Sequence, residues 1–392
     1  MKSAFVSTLS VLLQISAATA QAADPPARPD SAKTFRETVQ NGLKPFVEHR
    51  ELAGAVALAA DAGGVLAAAA VGWKDMDAKV PLPEDAVFWV ASQTKPVTAA
   101  ALMMLVDRGL VSVDDPVSKF IPEFASLQVA EGPEGGPQTV RPARGTMLIR
   151  HLLMHSAGIG TKTQFDGPTF DFHPISARAR AHAKEPLQWD PGTKSRYSNG
   201  AYTVLGYLVE VISGEPYGEF LEKHIFDPLR MKDTTFWPSD AQCSRMMTPY
   251  RTDEAWTKLT PSKITILATP LHDRTKRHPT AQLGLFSTAQ DLARFYRMLL
   301  NDGSLDGARI LSPDSARKMR ERQTPEEWVG AFSYGMITKG DTFGHMGSFG
   351  TNTLADRKTG LICVWLTQQT ANPGDAWEAE YIFQKAAKAL AR

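Results

Sequence analysis

Ser92-Gln93-Thr94-Lys95 sets a hydroxyl and an amine three residues apart, where an extended run, Val87 to Val90, gives way to an apolar helical pattern. Positions i and i+3 share a helix face, so the Lys95 amine can lie beside the Ser92 hydroxyl. A serine hydroxyl is a poor nucleophile near neutral pH and needs such a base. The run Ala99 to Val106 continues the helix. Pro96 falls in its first turn, where a missing N–H costs nothing. Ser92 is thereby placed at a helix N-terminus, where backbone N–H groups and the dipole favour a developing oxyanion. The spacing alone says little, because S-x-x-K arises by chance about once per few hundred residues. A capping serine followed by a solvated lysine would look the same.

Two partners give the pair weight. Tyr197-Ser198-Asn199 follows a loop, Pro191-Gly192-Thr193-Lys194. A helical pattern comes after it, Tyr202, Leu205, Leu208, Val209 and Ile212, closed by Gly214 as a C-terminal cap. The Tyr197 phenol could relay a proton if nearby cations lower its pKa. Asn199 offers an amide to substrate or to Lys95, and its residue type also suits a helix N-cap. The second partner is Gly344-His345-Met346-Gly347-Ser348, ahead of two strand-like runs at 351–355 and 361–367. A histidine between glycines at a strand end leaves room for a substrate backbone.

In the order S-x-x-K, Y-x-N, H-x-G, the three motifs resemble the penicillin-recognising serine hydrolases, in their class C β-lactamase-like branch. That branch includes serine β-lactamases, D-Ala-D-Ala carboxypeptidases, D-aminopeptidases and family VIII carboxylesterases. Further similar segments are residues 149–158, 227–236 and 284–292, so the resemblance runs from about Thr34 to the C-terminus. It implies that Ser92 is the acylated nucleophile and that Lys95 and Tyr197 share proton transfer. It implies that Asn199 orients the substrate or Lys95. It places His345 where β-lactamases usually carry the lysine of K-T-G. Gly347 and Ser348 would border the substrate, with the N–H groups of Ser92 and Ser348 as the oxyanion hole.

A literal Lys358-Thr359-Gly360 is present. It falls between two apolar runs and reads as a hairpin turn, pointing away from the strand end that carries His345. Histidine there is expected to be partly charged near neutral pH and able to donate a hydrogen bond, whereas a lysine would be a permanent cation. That shifts the expected substrate from β-lactams, which carry a carboxylate, towards small carboxylic esters or amides. A β-lactamase, a D-Ala-D-Ala carboxypeptidase or D-aminopeptidase is the alternative. A catalytically silent homologue that binds cell-wall peptide is a lesser one. No G-x-S-x-G surrounds any serine, so an α/β-hydrolase nucleophile elbow is unsupported.

The N-terminus reads as a secretory signal. Lys2 precedes the apolar stretch Ala4 to Ile15, and Ala18-Thr19-Ala20 is the expected cleavage site, with Ala20-Gln21-Ala22 as second choice. The apolar run is too short to span a bilayer. Residues 21–30 then form a linker, and 31–392 one hydrolase domain, exported to the periplasm or beyond. Formal net charge is +1, which gives no sign of nucleic acid or an anionic membrane as partner. No metal or organic cofactor is implied; the expected partner is a small-molecule ester, amide or D-amino-acid peptide. His151 and His155, four apart on an expected helix, lack the further ligands of a zinc site and read as packing. Cys243 and Cys363 are expected to remain unbridged, since Cys363 sits in an apolar strand as a small buried hydrophobe.

The expected fold is α/β of the α+β type. Phe35, Val39, Leu43 and Phe46 recur at helical spacing in a helix over 31–50. Strands at 54–60 and 65–71 flank a turn at Ala62-Gly63-Gly64. Ser287-Thr288-Ala289-Gln290 reads as a capping box opening a helix at Asp291. Residues 131–137, rich in glycine and proline, read as a surface loop. Strands return after about 325, with a terminal helix from Asp375. One antiparallel sheet is thus built from both chain ends, 31–90 and about 325–392. An all-helical region, about 91–324, is inserted, and the site lies at the seam, where ligand clefts concentrate.

Overall fold

The computed structural model describes residues 29–132 and 138–391. The expected signal and most of the linker lie outside these residues, as does most of the glycine- and proline-rich loop. The first helix, α1 (Pro29–Glu48), opens on a proline, inside the stretch read as linker. Strands β1 (Gly54–Ala60), β2 (Val65–Asp75) and β3 (Val80–Pro81) follow. The C-terminal third supplies β4 (Ile337–Lys339), β5 (Thr342–Gly347), β6 (Thr351–Asp356) and β7 (Ile362–Leu366). These seven form one sheet in the order β4-β5-β6-β7-β1-β2-β3. Every neighbouring pair is antiparallel. The two chain ends meet at its centre, with Val56 opposite Leu366 and Ala60 opposite Ile362.

β1 shows how the sequence produces the layering. Side chains alternate between faces of a strand. Val56, Leu58 and Ala60 join the main core, while Ala55, Ala57 and Ala59 face an outer cluster with Phe35, Val39, Leu43, Trp365 and Phe383. Small alanines on that outer face let α1 and the terminal helix α5 (Trp377–Leu390) lie close to the sheet. On the inner face lies α4 (Ala289–Leu300). Behind it stands the mainly helical region, centred on α2 (Thr94–Asp107) against α3 (Asn199–Ser213). α2 is buried from Thr94 to Leu105, as its almost unbroken apolar run requires.

Three details differ from expectation. The inserted region is not all helical: it holds short ladders, Gln128–Glu131 with Thr139–Pro142 and Tyr250–Thr252 with Leu259–Pro261. Strands of three or four residues are too brief to show a period of two. The cap of α4 is Thr288, whose hydroxyl accepts from Asp291 N, and not Ser287. His151 and His155 do not share a helix, because the helix Ile149–Leu153 ends first and His155 has φ +58°.

Lys358-Thr359-Gly360 forms the β6–β7 turn, with the N–H groups of Lys358 and Thr359 donating to Asp356 Oδ1 and Gly360 at φ +74°. Both cysteines are free, and burial pushes the Cys363 thiol up to about 12. Among the described residues, no helix is long and apolar enough to cross a membrane.

Candidate active site

The chain enters α2 through a short turn, Ala91–Gln93, that carries Ser92. Ala91 adopts φ +47°, a left-handed conformation that non-glycine residues rarely take. Such strain costs on the order of 1–3 kcal/mol and gathers at functional sites. The turn is pinned by Thr94, whose hydroxyl donates to Ala91 O and accepts from Leu285 N.

Lys95 is fully buried on the first turn of α2. Its Nζ lies 3.1 Å from Ser92 Oγ, 2.9 Å from Asn199 Oδ1 and 2.8 Å from Gln282 O. Burial holds its pKa well below the usual lysine value. A neutral amine has two N–H groups and one lone pair. Asn199 Oδ1 and the Gln282 carbonyl take the two N–H groups, which leaves the lone pair for the Ser92 hydroxyl.

Asn199 is free to reach Lys95 because it is not the helix cap. Ser198 is: its hydroxyl accepts from Ala201 N and donates to Gly160 O. The N–H of Ser198 donates to His155 Nδ1 at 3.0 Å. His155 in turn lies under Tyr197, ring centroids 4.7 Å apart. The Ser92 hydroxyl lies near enough to the Tyr197 phenol to act on its pKa, and Lys95 Nζ stands 4.6 Å from the centre of the Tyr197 ring. Burial raises the phenol's pKa, so the condition set for a relay, that cations lower it, is not met. Lys95, whose Nζ stands over the ring, is itself shifted by burial towards the neutral amine.

His345 lies on β5 opposite Thr353, with its ring only 3% exposed. Its Nδ1 is 2.6 Å from Met346 O. A carbonyl can only accept, so Nδ1 carries the hydrogen and Nε2 the lone pair. Burial first, and then Lys95, lowers its pKa to about 3. The expected partly charged donor is therefore a neutral imidazole with its N–H already engaged.

The end of β5 closes on the serine turn. A Cβ on Gly347 would stand 2.2 Å from Val90 O, so only glycine allows the approach. Thr351 Oγ1 donates to Val90 O at 3.3 Å across the same seam. Ser348 follows, exposed. Neither its N–H nor that of Ser92 takes part in a turn, loop or cap bond among the described residues.

The structure thus brings Ser92, Lys95, Tyr197, Asn199, His345 and Gly347 to one seam and leaves Lys358 at the far end of β6. Gln282 was not foreseen, since it contributes a backbone carbonyl and no side-chain signal marks that. Among the described residues, no group of three or more His, Cys, Asp and Glu side chains is placed to hold a metal. His151 Nδ1 accepts from Leu148 N instead.

Residues 35–387 match the family model described as Beta-lactamase. The chain belongs to the beta-lactamase family. It is 34% identical over 368 residues to Protein Rv1367c of Mycobacterium tuberculosis, covering 86% of this chain and 88% of that one. It is 32% identical over 244 residues to Esterase EstB of Burkholderia gladioli, 59% of each chain. Among solved structures, EstCE1, described as a hydrolase with promiscuous acyltransferase activity, superposes with a TM-score of 0.76. That match has 22% identity and covers 91% of this chain and 99% of the other. The last likeness carries the fold alone. With this family comes the class of enzyme: a β-lactamase-related serine hydrolase.

Proposed function

We propose that this enzyme hydrolyses small, uncharged carboxylic esters or amides through an acyl-enzyme on Ser92. The observation that carries the reading is the buried Lys95 amine, 3.1 Å from Ser92 Oγ with its other two contacts on pure acceptors. In the first half-reaction, Ser92 Oγ attacks the substrate carbonyl and its proton passes to Lys95. The oxyanion rests on the N–H groups of Ser92 and Ser348; such donors are each worth about 3 kcal/mol or more in the transition state. The bond to the leaving oxygen or nitrogen then breaks, Tyr197 supplies the proton, and Lys95 returns one to the phenolate. Water repeats the sequence to release the acid. A neutral phenol of raised pKa suits the donor role, since it holds its proton until a strongly basic leaving group draws it.

His345 supports the uncharged substrate. It offers no cation and no free N–H to a carboxylate, as a β-lactam or D-Ala-D-Ala peptide would require. The N-terminal sequence supports a second part of the reading, export with removal of about the first 20 residues.

Intact-mass spectrometry after a fluorophosphonate, followed by a panel of chromogenic esters, a cephalosporin and a D-Ala-D-Ala peptide, tests both chemistry and substrate. We expect one adduct, on Ser92, and turnover of neutral esters. An adduct elsewhere, or none, overturns the mechanism. Faster turnover of the cephalosporin or peptide than of any ester overturns the substrate class. N-terminal sequencing of the protein from a periplasmic extract tests export, and a retained Met1 would contradict it.

A further inference from the structure

Phe349 follows directly on Ser348 and has φ +65°. A bulky side chain in the left-handed region is a clear outlier, and strain of this kind points to a constraint at the site. The constraint is visible on both sides. Phe349 O accepts from Gln369 N at 2.9 Å, and Gly350 at φ +79° is packed against Thr367. The ring is half-buried and stands edge-on to Trp89, centroids 5.5 Å apart. Trp89 is a fixed floor: its indole N–H donates to Leu283 O at 2.6 Å, and its backbone N–H donates to Gln368 Oε1. Around it lies a separate apolar cluster that includes Ala91, Phe170, Ile264, Leu283 and Phe286. The turns Ala91–Gln93 and Ser348–Gly350 touch each other.

We propose that Phe349, standing on Trp89, is a specificity-determining residue that receives the acyl group and favours acyl chains with an apolar or aromatic body. This rests on the reading of Ser92 as nucleophile and names the acyl side of its substrate. A carbonyl held by the N–H groups of Ser92 and Ser348 lies next to residue 349. Its two substituents must point to opposite walls. The leaving group must lie at Tyr197, which delivers its proton, and the Tyr197 ring touches His155 and His345. The Trp89–Phe349 wall is what remains for the acyl group. Trp89 is 1% exposed, so the surface offered is that of the Phe349 ring, held from beneath by Trp89 and without a hydrogen-bond requirement.

The test uses the full chain and p-nitrophenyl esters of one leaving group, with acetyl, butyryl and benzoyl as acyl groups. Phe349→Gly accepts the backbone conformation without strain, and Phe349→Leu keeps an apolar side chain should the glycine variant unfold. The benzoyl-to-acetyl ratio of kcat/KM should fall about tenfold in Phe349→Gly, the scale of discrimination from a lost methylene-sized contact. In Phe349→Leu it should fall less, with the butyryl-to-acetyl ratio largely kept. Equal losses for all three acyl groups, or an unmoved ratio, overturn the assignment. Fluorophosphonate labelling separates the two readings. A wild-type enzyme without an adduct on Ser92 fails the nucleophile reading. A labelled enzyme whose ratios do not move fails only the role of Phe349.

Discussion

Lys95 and Tyr197, a buried amine and a buried phenol, converge on one hydroxyl. Ser92→Ala should remove activity to background, a loss on the order of a million-fold in other serine hydrolases. Steady-state kinetics retaining a tenth of the wild-type rate would exclude Ser92 as nucleophile. Lys95→Ala and Tyr197→Phe should each lower kcat by roughly a hundredfold or more. On the proposed mechanism both handle one proton, so the double variant should lose little beyond the worse single, and a product of the two losses would show independent action. His345→Lys would place an amine in a pocket that is 3% exposed and already holds Lys95. A lower unfolding midpoint is expected, with no gain for carboxylate-bearing substrates over neutral ones. A stable variant with a several-fold gain would mean that the pocket is open to substrate. The sequence named Ser92, Lys95, Tyr197, Asn199 and His345 through their spacing and side chains. The charge state of His345 was not legible, because it depends on burial and on the Met346 carbonyl.

At the scale of elements, the seam between β5 and the serine turn depends on one missing Cβ. Gly347 has an ordinary φ of −120°, so alanine meets no backbone strain there, only Val90 O at 2.2 Å and Thr351 Oγ1 at 2.3 Å. Gly347→Ala should separate the two elements and cost about a hundredfold in kcat/KM, as an ångström of misplacement does. Lys358→Ala, in the exposed β6–β7 turn, should change turnover by less than about twofold and stability by within about 0.5 kcal/mol. If the two results exchange places, the literal K-T-G is the working motif. The hairpin turn was legible because polar residues separate two apolar runs. The long helices α1 and α3 were legible from their periods, and β1 from the glycine turn that follows its apolar run. The brief ladders and β4 were not, since tertiary pairing rather than local pattern makes them strands.

For the whole molecule, four buried histidines set the response to acid. Burial lowers His151 and His182 to about 4, His345 to about 3, and His155 well below its usual value. The unfolded chain binds these protons near pH 6.5, and the folded chain does not until far lower pH. Stability should therefore fall as pH drops below about 6.5, since the unfolded state binds more protons there. Asp291, raised to about 6 by burial, works in the opposite direction between pH 6 and its unfolded value. Glu380, also raised by burial, works in the same direction as Asp291. With four histidines against these two carboxyls, denaturant midpoints should decline from pH 7 to pH 4.5. A flat or rising midpoint would show that the histidines are solvated in solution.

β1 finds its central partner in β7, about 300 residues further along the chain. At about 5–20 residues per second, roughly 15–60 s of synthesis separate the two strands. Throughout that interval β1 has an unpaired apolar edge, the kind that recruits wrong partners. The sheet cannot close until β7 has been made. A chain broken off before Ile362 would keep every motif residue of the site and have no central strand to fold around. A strand made late is the one the early strands wait for.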